Sequence, residues 1–255
     1  MTTRRTFLTG AAAMGGITLL PYRLAAGQHS ADSFASANGN ITITPKGHAS
    51  FVMQTPAGTV YVDPVGEPAN YADMPTPDLI VITHEHGDHY NEETLTAIAG
   101  DATPMVTNPG VFNILPAAMQ ARATAIGNGE SMMAGDVGID AIPAHNMTEG
   151  RLNFHPKGRD NGYVVSIDGL RIYISGDTED IPEMRALENI DIAFVSMNLP
   201  FTMDAAAAAS AVTEFAPTYV YPYHYRGRDG GTQDPAEFAE LVDGDVAVKF
   251  GNWYG

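Results

Sequence analysis

The stretch Leu79-Ile80-Val81-Ile82-Thr83-His84-Glu85-His86-Gly87-Asp88-His89 sets the terms for the whole chain. Its first four residues are an unbroken apolar run, the pattern of a strand buried on both faces. The seven that follow hold three imidazoles and two carboxylates. Continued as a strand, they would put His84, His86 and Asp88 on one face and His89 on the other. Gly87 gives the backbone the freedom to bring all four to one place. Nitrogen and oxygen donors gathered at a strand end make a metal site. The chain has no cysteine, which favours zinc, with manganese or iron as alternatives, over a thiolate-bound metal.

One loop cannot fill two coordination spheres, so further donors are expected at the ends of other strands. His145 follows the strand-like 138–143, Asp177 follows 172–175 and His224 follows 220–223. Together with the first loop they supply five histidines and two aspartates. That set can hold two divalent metal ions with one carboxylate between them and positions left for water.

The chain has 255 residues, 44% hydrophobic and 17% charged, which suits one sizeable domain with an ample core and no need of disulfides. Thirteen basic residues stand against 30 acidic ones, a net charge of −17. Such a surface repels nucleic acid and anionic membranes, so an anionic substrate must be drawn by a local positive centre. A small-molecule or lipid-like substrate is expected. The oligomeric state is left open.

Residues 1–27 form a separate object. Arg4-Arg5-Thr6-Phe7-Leu8, a moderately apolar stretch to Leu20, and Arg23-Leu24-Ala25-Ala26-Gly27 are similar to a twin-arginine export signal with a small-residue cleavage region. Cleavage would leave 10 basic and 30 acidic residues, a net charge of −20, in a periplasmic or secreted protein with no stable membrane span. Residues 28–40, rich in Ser, Ala and Asn, are expected to be a linker, and the folded domain is expected over 41–255.

Within the domain, 41–44, 51–54 and 59–63 alternate as strands and open an antiparallel sheet. A helix is expected to start after Asn91, another to run from 109 to 122, and two short strands to flank Gly135-Asp136. Asp168-Gly169 between 162–167 and 170–175 is a hairpin signal. A helix over 180–188, a strand over 190–197, an alanine-rich helix over 203–215 capped by Thr202 or Asp204, a strand over 218–223, a helix over 235–242 and a strand over 246–250 complete the chain.

His84-x-His86-x-Asp88-His89, followed by His145, Asp177 and His224, resembles the metallo-β-lactamase superfamily. The resemblance covers the chain after the linker. It implies an α/β fold, a four-layer αββα sandwich of two mixed β-sheets with outer helices and a binuclear site at the sheet edge. Carried over by position, His84, His86 and His145 would hold one metal, Asp88, His89 and His224 the second, and Asp177 would bridge them. Gly47-His48-Ala49-Ser50-Phe51, Val62-Asp63-Pro64, His155-Pro156-Lys157-Gly158, Asn161-Gly162-Tyr163, Ile174-Ser175-Gly176-Asp177-Thr178 and Pro200-Phe201-Thr202-Met203 are similar to the branch containing ascorbate 6-phosphate lactonase.

The expected activity is hydrolysis of an ester, lactone or phosphodiester bond by a metal-bound hydroxide, with Asp88 as the catalytic proton acceptor. A nonhydrolytic iron oxidoreductase of the same fold and a β-lactam hydrolase are the alternatives. The aspartate at 177 disfavours the latter, because true zinc β-lactamases usually have Cys or Ser there. His48 and Asp63 are candidates for orienting the ligands by hydrogen bonds. Lys157 and Arg226 are candidates for gripping a substrate anion, together with Arg159 and Arg228, and Tyr225 for donating to an oxyanion. His155 is expected to be a loop residue and not a ligand.

Overall fold

The computed structural model describes residues 31–227 and 232–254. The twin-arginine segment, the first residues of the expected linker and Arg228 lie outside the described residues. No helix among the described residues is long and apolar enough to cross a membrane.

The stretch 28–40 is not linker throughout. Asp32–Ala35 (β1) pairs antiparallel with Asn40–Gly47 (β2). The reason is one aromatic in a polar stretch: Phe34 is buried against the ring of Tyr219, centroids 4.8 Å apart, and the Tyr221 hydroxyl donates to Asp32 at 2.6 Å. Ser50–Thr55 (β3) and Gly58–Val62 (β4) continue the antiparallel run. Leu79–Ile82 (β5) then pairs parallel with β4, as the apolar run requires.

Glu92–Ile98 (α1) starts at Asn91, whose side chain accepts from the Thr94 N–H at 2.8 Å. Met105–Thr107 (β6) follows, and then the helix expected over 109–122 is two pieces, Pro109–Ile114 (α2) and Ala117–Gln120 (α3). Pro116 lacks the amide the helix needs and holds Leu115 extended. Ala123–Ala125 (β7) closes a seven-stranded sheet in chain order, β1 to β7.

The second sheet repeats the plan. Ser131–Ala134 (β8), Val137–Ala144 (β9), Asp160–Ile167 (β10) and Leu170–Ile174 (β11) are antiparallel neighbours. Asp168 and Gly169, at φ 49° and 83°, form the hairpin turn expected between β10 and β11. Pro182–Arg185 (α4) is a single turn where a longer helix was expected. Ile192–Ser196 (β12), Ala205–Phe215 (α5, capped by Asp204), Tyr219–Tyr223 (β13), Pro235–Leu241 (α6) and the two-residue Ala247–Val248 (β14) complete it, with β11 to β14 parallel.

Strand alternation builds the layers. Phe51, Met53, Val60 and Val62 of the first sheet meet Ile172, Ile174, Phe194 and Tyr221 of the second in one inner core. Phe51 stacks on Phe194 at 4.0 Å across the interface. The opposite faces are covered separately: Val52, Tyr61, Ile80 and Ile82 by α1 to α3, and Val164, Ala193, Val195 and Val220 by α4 to α6. The result is the αββα sandwich expected from the sequence.

Near one edge the two sheets are joined by hydrogen bonds as well. The Tyr163 hydroxyl donates to the Ile82 carbonyl at 3.0 Å, and the Asn161 N–H to the Thr83 carbonyl at 3.3 Å. Gly176, just past β11, sits in this narrow gap at φ 59°, and a Cβ there would lie 2.7 Å from the Asn161 carbonyl oxygen and 3.3 Å from Thr83 Cβ. Gly176→Ala therefore combines left-handed strain with a backbone clash. We expect it to lower stability by about 1–3 kcal/mol in chemical denaturation.

Candidate metal centre

The site lies at this edge, on loops that leave the ends of strands of both sheets. The first sheet contributes His48 from the β2–β3 turn, Asp63 after β4 and residues 83–89 after β5. The second contributes the 145–159 segment after β9, Asp177 after β11, Asn198 after β12 and His224 after β13. His48, Asp63 and His224 have φ of 49°, 42° and 51°, a region non-glycine residues seldom occupy outside functional sites. The His224 N–H donates to the His48 carbonyl at 3.1 Å, so the two left-handed histidines are held against each other from opposite sheets.

Asp177 is the buried centre. Its Oδ1 lies 3.4 Å from His89 Nε2, and its Oδ2 lies 3.4 Å from His155 Nε2, 3.5 Å from His224 Nε2 and 3.9 Å from His84 Nε2. Asp88, half exposed, has Oδ2 3.4 Å from His224 Nε2 and 3.5 Å from His48 Nε2. The donors fall into three groups: His84, His86 and His155; His84, His89 and Asp177; and His48, Asp88 and His224.

These residues fit divalent metal ions. The Nε2 atoms of His89, His155 and His224 and Oδ1 of Asp177 are buried without a hydrogen-bond partner. An orphaned buried polar atom is costly, and four in one place call for a common partner. Ligands at about 2.1 Å from a tetrahedral ion stand about 3.4 Å from one another, and the separations around Asp177 and Asp88 cluster near that value.

What aims the rings is the other nitrogen. Asp63, buried, accepts from the Thr83 N–H at 2.7 Å with Oδ1, and from the Thr83 hydroxyl at 2.7 Å and His89 Nδ1 at 2.8 Å with Oδ2. With its proton given to Asp63, the Thr83 hydroxyl oxygen accepts from His84 Nδ1 at 3.0 Å. His155 Nδ1 donates to Asn146 Oδ1 at 2.9 Å. Asn198 Nδ2 lies 3.2 Å from His224 Nδ1 and holds that ring in place. His84, His89 and His155 thus hold Nδ1–H outward and present the Nε2 lone pair to the centre. His86 differs, with Nδ1 toward His84 at 3.2 Å and Nε2 3.3 Å from Arg159 Nη2.

Electrostatics follow from this crowding. Burial alone would raise the Asp177 carboxyl, but His224 and His89 hold it well below the usual carboxylate range. Burial acts the same way on Asp88, and the adjacent His224 and His48 rings outweigh it and hold that carboxyl low. Burial pushes the His84 ring well below its usual value, with the neighbouring His89 adding to the effect.

Of the seven ligands expected, His84, His86, Asp88, His89, Asp177 and His224 converge, and His145 does not. His145 stands where β9 ends, as expected, yet its Nδ1 faces the Asn146 carbonyl at 3.2 Å and it belongs to none of the three groups. Its carbonyl accepts from the Glu179 N–H at 3.0 Å, so it is the anchor of the loop. The loop folds back and brings in His155 instead, a residue expected to be a bystander. The signal was present in His155-Pro156-Lys157-Gly158. Glu179 holds the fold-back, accepting from the N–H groups of Met147 at 2.8 Å and Thr148 at 2.9 Å and pairing with Arg151 at 2.8 Å.

Asp63 takes the orienting position expected of it. His48 comes nearer than expected and could itself ligate beside Asp88, its Nδ1 meeting the Tyr254 hydroxyl at 2.9 Å. Among the expected substrate contacts, Arg226 lines the cavity over the site. Lys157 does not: it sits on a surface turn, 73% exposed, 3.9 Å from Glu183. Tyr225 is half-buried, edge-on to Tyr254 at 4.9 Å, and away from the cavity lining. Thr83, Asn146 and Asn198 carry no motif of their own and were missed.

Two outcomes are expected. Asp63→Asn should weaken metal binding about 10- to 100-fold in chelator competition, because His89 loses its carboxylate partner. His155→Ala should lower the metal-to-protein ratio measured by elemental analysis, whereas His145→Ala should leave it at the wild-type value.

The comparisons with known proteins agree with this geometry. Residues 42–224 match the model of the β-lactamase superfamily domain. A UPF0173 metal-dependent hydrolase from Anaeromyxobacter dehalogenans is 31% identical over 234 residues, 84% of this chain and 85% of its own. Another from Pyrococcus furiosus is 31% identical over 212 residues, 79% of this chain and 92% of its own. Among solved structures, a candidate metal-dependent hydrolase from Parabacteroides distasonis superimposes with a TM-score of 0.79 at 39% identity, covering 88% of this chain and 99% of that one. The sandwich, the strand-end histidines and these matches together place the chain in the β-lactamase superfamily, within the family of its metal-dependent hydrolase relatives.

Proposed function

We propose that the chain hydrolyses an ester, lactone or phosphodiester bond with two divalent cations, zinc by preference, held between the two sheets. One observation carries the proposal: imidazole Nε2 atoms and the Asp177 carboxylate, unpartnered and buried, converge beneath an open cavity. His84, His86, His155 and Asp177 would hold one ion, and Asp88, His89, His224 and the shared Asp177 the other, with His48 alongside. When bound, such ions supply Lewis acidity, lowering the pKa of water from about 16 toward about 7 and drawing charge from the leaving oxygen. Nitrogen and oxygen donors without sulfur suit zinc and admit manganese or iron.

The chain's own residues do the rest. Asp88 is the exposed carboxylate of the set and lines the cavity, where it can accept a proton from the attacking water. Asp63, Thr83, Asn146 and Asn198 keep four rings from turning, so the donors are in place before substrate arrives. Phe154 and Phe201 face each other edge-on at 4.9 Å and give the cavity beside the donors an apolar wall. The motifs shared with the ascorbate 6-phosphate lactonase branch support a lactone among the candidate substrates.

The test is turnover of a lactone, bis(p-nitrophenyl) phosphate, a lipid phosphodiester and a β-lactam by the metal-loaded full chain. At least one of the first three should be hydrolysed, with a loss of at least about 100-fold in Asp88→Ala and in His84→Ala. Hydrolysis that survives both substitutions, or redox activity that tracks iron content without any hydrolysis, would overturn the proposal.

A further inference from the structure

The cavity above the site has a volume of about 620 Å³, ample for more than a small lactone ring. Its lining is of two kinds. Phe154, which directly precedes His155, packs edge-on against Phe201. Phe201 is 36% exposed, and on the same two loops Met147 and Leu152 are 45% and 49% exposed. These loops are tied together: Asn146 Nδ2 donates to the Phe201 carbonyl at 2.8 Å and Arg151 Nη1 to the Thr202 carbonyl at 3.0 Å. A fixed apolar wall open to solvent is a binding surface more often than an accident of packing.

The lining also includes Arg226, two residues past His224. Other cations near the cavity are committed. Arg159 pairs with Asp160 at 2.7 Å and Glu85 at 3.3 Å, Arg151 with Glu179 at 2.8 Å, and Lys157 faces Glu183 outside the lining. Arg226 makes no ion pair with any described residue. Its guanidinium rests over the Tyr254 ring, 4.2 Å from the centroid, and its backbone N–H donates to the Tyr254 hydroxyl at 3.0 Å. The stacking fixes the plane of the fork and leaves its N–H edge free. In a chain of net charge −17, a guanidinium that lines a cavity without an ion pair among the described residues is placed for an anion.

We propose that the substrate is an amphipathic acyl compound with an anionic group remote from the scissile bond. Its apolar arm lies along Phe154 and Phe201, its reacting carbonyl lies over Asp88 and Asp177, and its anion is held by Arg226. This rests on the hydrolase reading above and narrows it. Carboxylate and phosphate share the geometry that a guanidinium recognises, and the test separates them.

The full chain, metal-loaded, is assayed with p-nitrophenyl octanoate, the mono-p-nitrophenyl ester of octanedioate and the corresponding ω-phosphono ester. Water cleaves each to the acid and p-nitrophenol. A charged ester should show a KM about 10- to 100-fold below that of the octanoate, and the better of the two names the anion. Arg226→Ala should bring that ratio to about one, Arg226→Lys should restore part of it, and Phe201→Ser should raise KM for the esters of long chain. In parallel, calorimetry compares binding of octanedioate and 8-phosphonooctanoate with octanoate, which carries a single carboxylate. An Arg226-dependent preference in binding, with no hydrolysis of any ester, lactone or phosphodiester, supports the anion site at Arg226 and overturns the hydrolase reading. Hydrolysis with no preference for a charged ester, or a preference that Arg226→Ala leaves intact, overturns this inference and leaves the hydrolase reading standing.

Discussion

The site depends on hydrogen bonds that never touch the cavity, those that take the outward Nδ1 protons of His84, His89 and His155. An imidazole with both nitrogens free can flip, tautomerise or protonate, and five of them side by side would repel as soon as any two were charged. Asp63 prevents this for two rings at once, one directly and one through the Thr83 hydroxyl. Its own position is bought with a left-handed backbone, φ 42°, that an aspartate tolerates better than most residues. Asn146 does the same for His155 with a neutral amide, and the Asn198 amide stands against His224.

Everything else in the fold serves to bring those loops together. Each sheet is laid down in chain order, and its parallel strands end at the same edge. A parallel strand buried on both faces cannot carry polar residues along its length, so chemistry is pushed to its end. Val62-Asp63, Ile82-Thr83-His84 and Tyr223-His224 show the change from apolar to polar within one or two residues. The aromatic stack of Phe51 on Phe194 sets the spacing of the sheets, and the bonds from Tyr163 and Asn161 set it again next to the site.

Most of the architecture was legible in the sequence, because alternation and apolar runs mark strands directly. The failures have particular causes. Pro116 divided a helix whose apolar spacing looked continuous, and one buried aromatic, Phe34, drew a polar stretch into the first sheet. In the site, six of seven expected ligands converge, since strand ends locate them. His145 and His155 show the limit: His145 directly follows its strand and His155 lies further along the same loop, and only the path of that loop decides which ring enters. That path is set by Glu179 and Asn146, whose partners lie elsewhere in the chain. Lys157 failed similarly, because Gly158, at φ 87°, belongs to a turn on the surface beside His155.

The donors come from both halves of the chain: His84, His86, Asp88 and His89 hang from the first sheet, and His155, Asp177 and His224 from the second. Cations shared between them would rivet two layers that no disulfide joins, since the chain has no cysteine. Occupancy and sandwich cohesion are then a single equilibrium, and the free energy of taking up metal reinforces the seam between the sheets. A chain starved of metal would loosen first along that seam, at the edge where its chemistry lies.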